Sequence, residues 1–323
     1  MAHQTAGEAR TIVITGGSSG IGLAAATAIL SGEHGRWHVV LPVRDTARGQ
    51  EAVASLTAAA AHGGTVEAMA MDLSSLASVR EFAAALTGRV ESGSIPRPHA
   101  LVCNAGVQMG TKLTRTADGF EATFGVNHLG HFALVNALLP VLKAPARVVV
   151  TSSGTHDPAN AGPSPAWSSA QALARGELGP SAESDSTLVA GQRRYSTSKL
   201  ANLYFTYALA RRLPDGVTAN AFDPGMVLGT SLGRSLPAPL RFIADHVLPR
   251  APWLLHRVVG PNIRSAPEAG GALAWLATAP ELAAVTGRYY NGRTPIRSSE
   301  ESYDTVRADG LWADSEVLTG VRV

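Results

Sequence analysis

Six short runs rich in β-branched and other apolar residues recur along this chain, with Ala- and Leu-rich stretches of helical spacing between them. Thr11 to Thr15, His38 to Leu41, Val66 to Met71, Ala100 to Cys103, Arg147 to Thr151 and Val217 to Phe222 read as strands, and the segments that separate them as helices. Strands apolar on both faces must be covered on both faces. The alternation therefore predicts an α/β fold built on a doubly wound parallel sheet with right-handed crossovers. In such a sheet, ligands sit beyond the carboxyl ends of the strands.

Two stretches break the rhythm. Residues 154–192 are rich in Ser, Ala, Gly and Pro, and residues 226–266 carry Leu, Pro and Arg around an amphipathic Leu240 to Val259. Both far exceed the ordinary connection of about 4–6 residues. The first reads as an insertion packed on the surface, and the second, which follows a strand end, as a substrate lid. A half-buried lid helix and a membrane-surface helix both fit Leu240 to Val259. No linker separates two units, so residues 1–323 read as a single domain. With 45% hydrophobic and 16% charged residues, the 323-residue chain can bury a substantial core.

The formal charge of +2 comes from scattered Lys and Arg, which gives no footprint for nucleic acid. Cys103 is the single cysteine, and no Cys/His spacing suggests a metal site. The first ten residues lack the apolar core of a signal peptide, and no run of about 18 apolar residues could span a bilayer. The expectation is a soluble, cytoplasmic protein.

The first strand runs into TGGSSGIG, Thr15 to Gly22, and then into an Ala-rich helix. Gly16, Gly20 and Gly22 permit a tight turn and close backbone approach. Ser18, Ser19 and Ile21 lie with them where the helix presents free N–H groups to a pyrophosphate. These features suit the entry turn of a Rossmann-type dinucleotide site, and a glycine-rich strand-to-helix turn without a ligand fits the same residues. Where an NAD-preferring site carries an acidic residue after the second strand, this chain has Val43, followed by Arg44 and Asp45. A cation there can pair with the 2′-phosphate of NADP, so NADP(H) is favoured and NAD(H) is still possible. A register slip of two residues would make Asp45 the ribose ligand instead. Asp72, followed by Leu73, reads either as an acceptor for the adenine amino group or as an N-cap.

Downstream, RRYSTSKLANLYFTYALARRL reads as a helix that places Tyr195 and Lys199, four apart, on one face. A phenol titrates near 10, too high for efficient proton exchange at neutral pH, and an adjacent ammonium would lower that value. TGGSSGIG, CNAG at Cys103 to Gly106, VTSS at Val150 to Ser153 and YSTSK together resemble the short-chain dehydrogenase/reductase family, from Thr11 to about Tyr290. The resemblance implies that Tyr195 is the general acid in carbonyl reduction and the base in alcohol oxidation. Ser153 would hold the substrate oxygen, and Lys199 the nicotinamide ribose. Asn127, in GVNHLGHF, would hold a water that relays protons from Lys199, or else serve as a helix-packing amide. Asn104, Ala105 and Gly106 match the loop that leaves room for the adenosine ribose. Pro224 and Gly225 match the turn around the nicotinamide, with Val227 offering backbone groups to its carboxamide.

Two departures from the family pattern stand out. Gly229 takes the place of the usual threonine, which shifts the candidate cofactor contact to Thr230, and Tyr195 follows Ser153 by 42 residues, far more than in classical members. The added 154–192 stretch resembles insertions in monomeric carbonyl reductases and light-dependent protochlorophyllide reductases. It could block helix pairing, so monomer and dimer both remain open. GFEATFGVNHLGHFAL and SSEESYDTVRADGLWADSEVLTGV are most similar to the retinol dehydrogenase and protochlorophyllide reductase branch. The implied activity is NADP(H)-dependent hydride transfer to or from a carbonyl or alcohol carbon of a medium-sized, largely apolar small molecule. Reduction of an enone C=C bond and cofactor sensing without turnover are the alternatives.

Overall fold

The computed structural model describes residues 9–32, 35–160, 162–227 and 262–321. Thr230, Gly229 and the amphipathic Leu240 to Val259 lie outside them. The strands β1 (Arg10–Ile14), β2 (Trp37–Val43), β3 (Thr65–Ala70), β4 (Pro98–Cys103), β5 (Ala146–Thr151) and β6 (Val217–Asp223) coincide with the six expected runs to within a few residues. A two-residue pair follows, β7 (Met226–Val227) and β8 (Ile263–Arg264), and then β9 (Tyr289–Asn291) and β10 (Thr294–Ile296). The main sheet has the order β10-β9-β6-β5-β4-β1-β2-β3. All its neighbours are parallel except the β9–β10 edge hairpin. β1 lies between β2 and β4, so the strand order reverses there. That reversal opens a crevice at the carboxyl ends of β1 and β4.

The helices are α1 (Gly20–Ser31), α2 (Thr46–Ala59), α3 (Leu76–Glu91), α4 (Ala122–Phe124), α5 (Gly130–Leu138), α6 (Ala170–Arg175), α7 (Thr187–Ala210), α8 (Ala266–Thr278) and α9 (Thr305–Thr319). Successive strand residues point to opposite faces, and the core divides accordingly. Ile12 and Ile14 pack with Ala25 and Ile29 of α1, Leu56 of α2 and Leu273 of α8. Val13, between them, faces Leu76 and Phe82 of α3, Phe132 of α5, Tyr204 of α7 and Trp312 of α9.

The insertion is more structured than its composition suggests. Ala170 and Leu173 of α6 belong to the same core cluster as Trp312. Ala166 N–H donates to Thr197 Oγ1 at 2.9 Å, and Ser196 Oγ donates to the Pro163 carbonyl, also at 2.9 Å. The helix carrying Tyr195 also starts earlier than Gln192. Ser186 caps α7 by accepting from Val189 N–H, so the insertion ends six residues sooner than its polar composition implies.

Candidate active site

The glycine turn is built by contact. A Cβ at Gly22 would lie 2.4 Å from the Gly16 carbonyl oxygen, and one at Gly17 would lie 2.5 Å from Leu41 Cδ2. Gly16 and Gly20 have φ of +68° and +55°, which glycine adopts without the strain a side chain brings. Ser19, the N-cap of α1, makes no side-chain cap bond, and the first turn holds no acidic residue. The N–H groups of Gly20, Ile21 and Gly22 therefore lack intrahelical acceptors and fit an anionic pyrophosphate.

Thr15, just past β1, ties this turn to the rest of the site. Its Oγ1 accepts from the N–H groups of Asn104 at 2.9 Å and Ala105 at 3.0 Å. His131 Nδ1 lies 3.1 Å from the Asn127 carbonyl, which can only accept, so Nδ1 carries the ring proton. Burial brings the His131 pKa down to about 4, so the ring is neutral and its Nε2 accepts from the Thr15 hydroxyl at 2.9 Å. The same hydroxyl lies 3.2 Å from the Val102 carbonyl, which makes a second acceptor for its proton. Asn104 Nδ2 donates to the Thr15 carbonyl at 3.1 Å, so its side chain braces the glycine turn from across the β1/β4 crevice.

At the edge of this half-site, Arg44 is exposed immediately after β2. Among the described residues it has no ion-pair partner. Asp45 is the N-cap of α2, its carboxylate accepting from Arg48 N–H at 3.2 Å. Asp72 is not an N-cap, because Ser75 caps α3. Instead, Asp72 Oδ1 accepts from the N–H and hydroxyl of Ser74, at 2.9 and 2.8 Å, in a local turn beside buried Leu73.

The second half-site lies at the ends of β5 and β6. Lys199 Nζ donates to the Thr151 carbonyl at 3.1 Å and stands 5.4 Å from the centre of the Tyr195 ring. Asn202, one turn further along α7, donates to the same carbonyl at 3.0 Å. Ser152 Oγ donates to the Lys199 carbonyl at 2.8 Å, so the end of β5 grips α7 at two levels. Ser153 caps a short 3-10 turn, accepting from Thr155 N–H at 3.3 Å.

Asn127 is fully buried in a π-helical turn, Gly125–Leu129. Its Oδ1 accepts from Val107 N–H, and its Nδ2 donates to the Val107 carbonyl and to Ser198 Oγ, at 2.8, 2.9 and 3.0 Å. The Ser198 hydroxyl donates in turn to the Tyr195 carbonyl at 2.7 Å. The Asn127 side chain is thus a tether between the strand-four loop and the helix of Tyr195. A Cβ on Gly106 would come within 3.4 Å of Asn127 Oδ1 and 3.6 Å of Lys199 Nζ. Pro224 and Gly225 follow β6, and Val227 pairs with Arg264 across β7 and β8.

Electrostatics here differ from the expectation drawn from spacing alone. Burial, reinforced by the carboxylate of Asp223, pushes the Tyr195 phenol above its usual value, while a hydrogen bond with the Ser153 side chain acts the other way. Lys199, also buried, is brought down to about 8, with Asp223 opposing that fall. The expected lowering of the phenol by its neighbouring ammonium is therefore overturned. Loss of hydration and the Asp223 charge penalise the phenolate, while the Lys199 ammonium is engaged by the Thr151 carbonyl.

Sequence reasoning did not single out Thr15, His131, Ser152, Ser198, Asn202, Asp223 or His156. Thr15, Ser152 and Ser198 lie inside the recognised motifs and His131 inside GVNHLGHF, and they could have been found there. His156 carries no such signal. Its Nδ1 donates to the Ser153 carbonyl at 2.6 Å, and its Nε2 accepts from Ser299 N–H at 3.0 Å, which locks the serine loop to the C-terminal segment.

Comparison with known proteins agrees with this geometry. A family model described as short chain dehydrogenase matches residues 10–172, and one described as AcuH dehydrogenase domain matches residues 232–322. The WW domain-containing oxidoreductase of Gallus gallus is 36% identical over 96% of this chain and 68% of its own length. Human retinol dehydrogenase 13 is 36% identical over 97% of this chain and 85% of its own. Protochlorophyllide reductase A of Oryza sativa subsp. japonica is 32% identical over 96% and 80%. Among solved structures, an uncharacterised protein of Mycobacterium paratuberculosis has a TM-score of 0.65 at 30% identity, covering 97% of this chain and 94% of that one. The Pseudomonas aeruginosa RhlG/NADP active-site complex has a TM-score of 0.59 at 25% identity, covering 87% and 93%. The chain belongs to the short-chain dehydrogenase/reductase family of oxidoreductases, on the side of the retinol dehydrogenases and protochlorophyllide reductases. No helix among the described residues is long and apolar enough to cross a membrane.

Proposed function

We propose that the protein is an NADP(H)-dependent oxidoreductase that reduces the carbonyl carbon of a medium-sized, largely apolar small molecule, or oxidises the corresponding alcohol. The observation that carries this reading is the meeting of Tyr195, Lys199 and Ser153 at the end of β5, beside a glycine cradle at the β1/β4 crevice. The turn from Gly16 to Gly22, with Ser18, Ser19 and Ile21, would hold the pyrophosphate. Asp72 and Leu73 would meet the adenine, Asn104, Ala105 and Gly106 the adenosine ribose, and Pro224, Gly225 and Val227 the nicotinamide. Arg44 stands free for a 2′-phosphate while Asp45 is occupied as a helix cap, which favours NADP(H) over NAD(H). The RhlG structure, solved with NADP, supports the same preference. The retinol dehydrogenases among the relatives support an apolar substrate.

When bound, the nicotinamide supplies or accepts the hydride at the substrate carbon. In reduction, the Tyr195 hydroxyl gives its proton to the substrate oxygen, and Ser153 Oγ–H holds that oxygen in line. Burial keeps the Tyr195 phenol protonated across the neutral range, which suits it to donating. Lys199, brought down to about 8, can replace that proton, with Asn127 ordering the surrounding loop. Fluorescence titration with NADPH and NADH, followed by NADPH oxidation against ketones, aldehydes and enones with product analysis, tests the reading. Tight NADPH binding with alcohol as the product is expected. Saturation of a carbon–carbon bond in place of the carbonyl would replace it, and absence of binding by either cofactor would overturn it.

A further inference from the structure

One strongly polar group in this site has no role in the scheme above. Asp223 ends β6 and is 2% exposed. A carboxylate out of water is costly unless its oxygens are satisfied. Oδ1 accepts from Gly225 N–H at 2.9 Å, and Oδ2 accepts from Asn291 Nδ2 at 3.2 Å. The orientation of that amide is fixed from behind, because Asn291 Oδ1 accepts from the Arg264 guanidinium. Arg264 packs in turn against Gly225 and Gly292, where added Cβ atoms would lie 2.6 and 2.9 Å from its nitrogens. A Cβ on Gly154, next to Ser153, would lie 3.3 Å from Asp223 Oδ2. Asp223 thus touches the nicotinamide turn on one side and the serine loop on the other.

The Gly225 N–H, the Asn291 amide and the Tyr289 phenol that face this carboxylate are all uncharged donors, and no ion pair among the described residues involves it. Its field is therefore felt by the groups around it. These are Tyr195 and Lys199 on α7, Tyr289 on β9 and His156 in the turn after β5. Arg264 acts on it only through Asn291. Lys199 faces His131 of α5 and Tyr195 of its own helix as well.

Resting on the reading of Tyr195 and Lys199 as the proton-transfer pair, we propose that Asp223 is the positioning residue of that pair. Its carboxylate braces the Gly225 turn against the serine loop and sets the pH range over which Tyr195 and Lys199 exchange protons. A negative charge favours the protonated forms of both groups, so neutralising it moves both titrations to lower pH.

The test needs neither substrate nor cofactor. The chain has three lysines, Lys112, Lys143 and Lys199, so the full-length protein labelled at lysine Cε with carbon-13 gives few signals, assignable with Lys112→Arg and Lys143→Arg. The Lys199 midpoint is expected near 8 in the unaltered protein and lower by at least about half a pH unit in Asp223→Asn. Asp223→Glu, which keeps the charge, is expected to restore most of the difference. Asp223→Ser, whose hydroxyl can still accept from Gly225 N–H, replaces the Asn variant should that one not fold. Where a substrate turns over, the alkaline limb of kcat moves to lower pH by a similar amount in the neutral variants. An unchanged Lys199 midpoint in a folded neutral variant, or a shift that Asp223→Glu reproduces, would overturn the assignment. Because the midpoint is read without turnover, failure of the proposed reaction and failure of the Asp223 assignment are told apart.

Discussion

The carboxyl ends of β1 and β4 and those of β5 and β6 face the same crevice region, yet they are made of different material. The first is assembled from glycine backbone, free helix N–H groups and neutral hydrogen bonds, with Thr15, Asn104 and an uncharged His131 as its fasteners. The second gathers four buried ionisable side chains around Asp223, namely Tyr195, Lys199, Tyr289 and His156, whose proton affinities are shifted by burial and by the Asp223 charge. Holding a polyanionic cofactor requires shape and donors that need no tuning. Exchanging a proton requires groups whose ionisation the fold controls, and burial supplies that control. Asn127 and His131 join the two halves, one through Val107 and Ser198, the other through Thr15.

If the halves are separable, damage to one should spare the other. Tyr195→Phe removes the proposed proton donor and is expected to lower kcat by about 10²–10⁴-fold with the NADPH Kd within a few fold of normal, checked by steady-state kinetics and fluorescence titration. Near-normal turnover would sink the proposed donor. His131, in the bridge, gives the next effect. Its folded pKa of about 4 lies below its unfolded value, so its contribution is complete above the unfolded value of about 6.5 and is lost as the pH falls towards 4. The loss is of order 3 kcal/mol across that window, with the more deeply depressed His128 adding in the same direction. Urea unfolding between pH 4 and 7.5 should show this slope, and His131→Gln should flatten it.

Arg44→Ala tests the cofactor half alone. It should remove about 1.5–3 kcal/mol of the NADPH preference and leave the Tyr195 chemistry untouched, as read from kcat/KM with NADPH and NADH. An unchanged ratio would mean that Arg44 does not meet the 2′-phosphate. The smallest effect is expected from Asp45→Ala, which removes a helix cap worth about 1 kcal/mol of stability and should not move the cofactor ratio. A swing in that ratio would return Asp45 to the role of ribose ligand.

Much of the architecture was legible because it is local. The six central strands announced themselves through β-branched runs, whereas β9 and β10, three residues each, are too short for periodicity to reveal. α7 was found through its periodic face, but its first turn was hidden in an insertion whose Ser, Ala, Gly and Pro content reads as loop. The Tyr195–Lys199 face was visible from a spacing of four, and Arg44 from its place after β2. Asp223 was not singled out, because a polar residue at a strand end ordinarily reads as facing water. Its burial depends on Asn291 and Arg264, which arrive from segments remote in the chain.

The sequence by itself determined the strand-helix alternation, the glycine turn and the helical face that pairs a phenol with an ammonium, since these follow from backbone preferences and side-chain spacing. The tertiary structure decided the charge states and the proton arrangement. Thr15 and His131 are 116 residues apart, and Lys199 meets the Thr151 carbonyl across 48. The field at Tyr195 depends on how much water the whole fold excludes and on where it puts one carboxylate. Burial and long-range contact have no counterpart in local sequence, and they set the chemistry that this pair of side chains can perform.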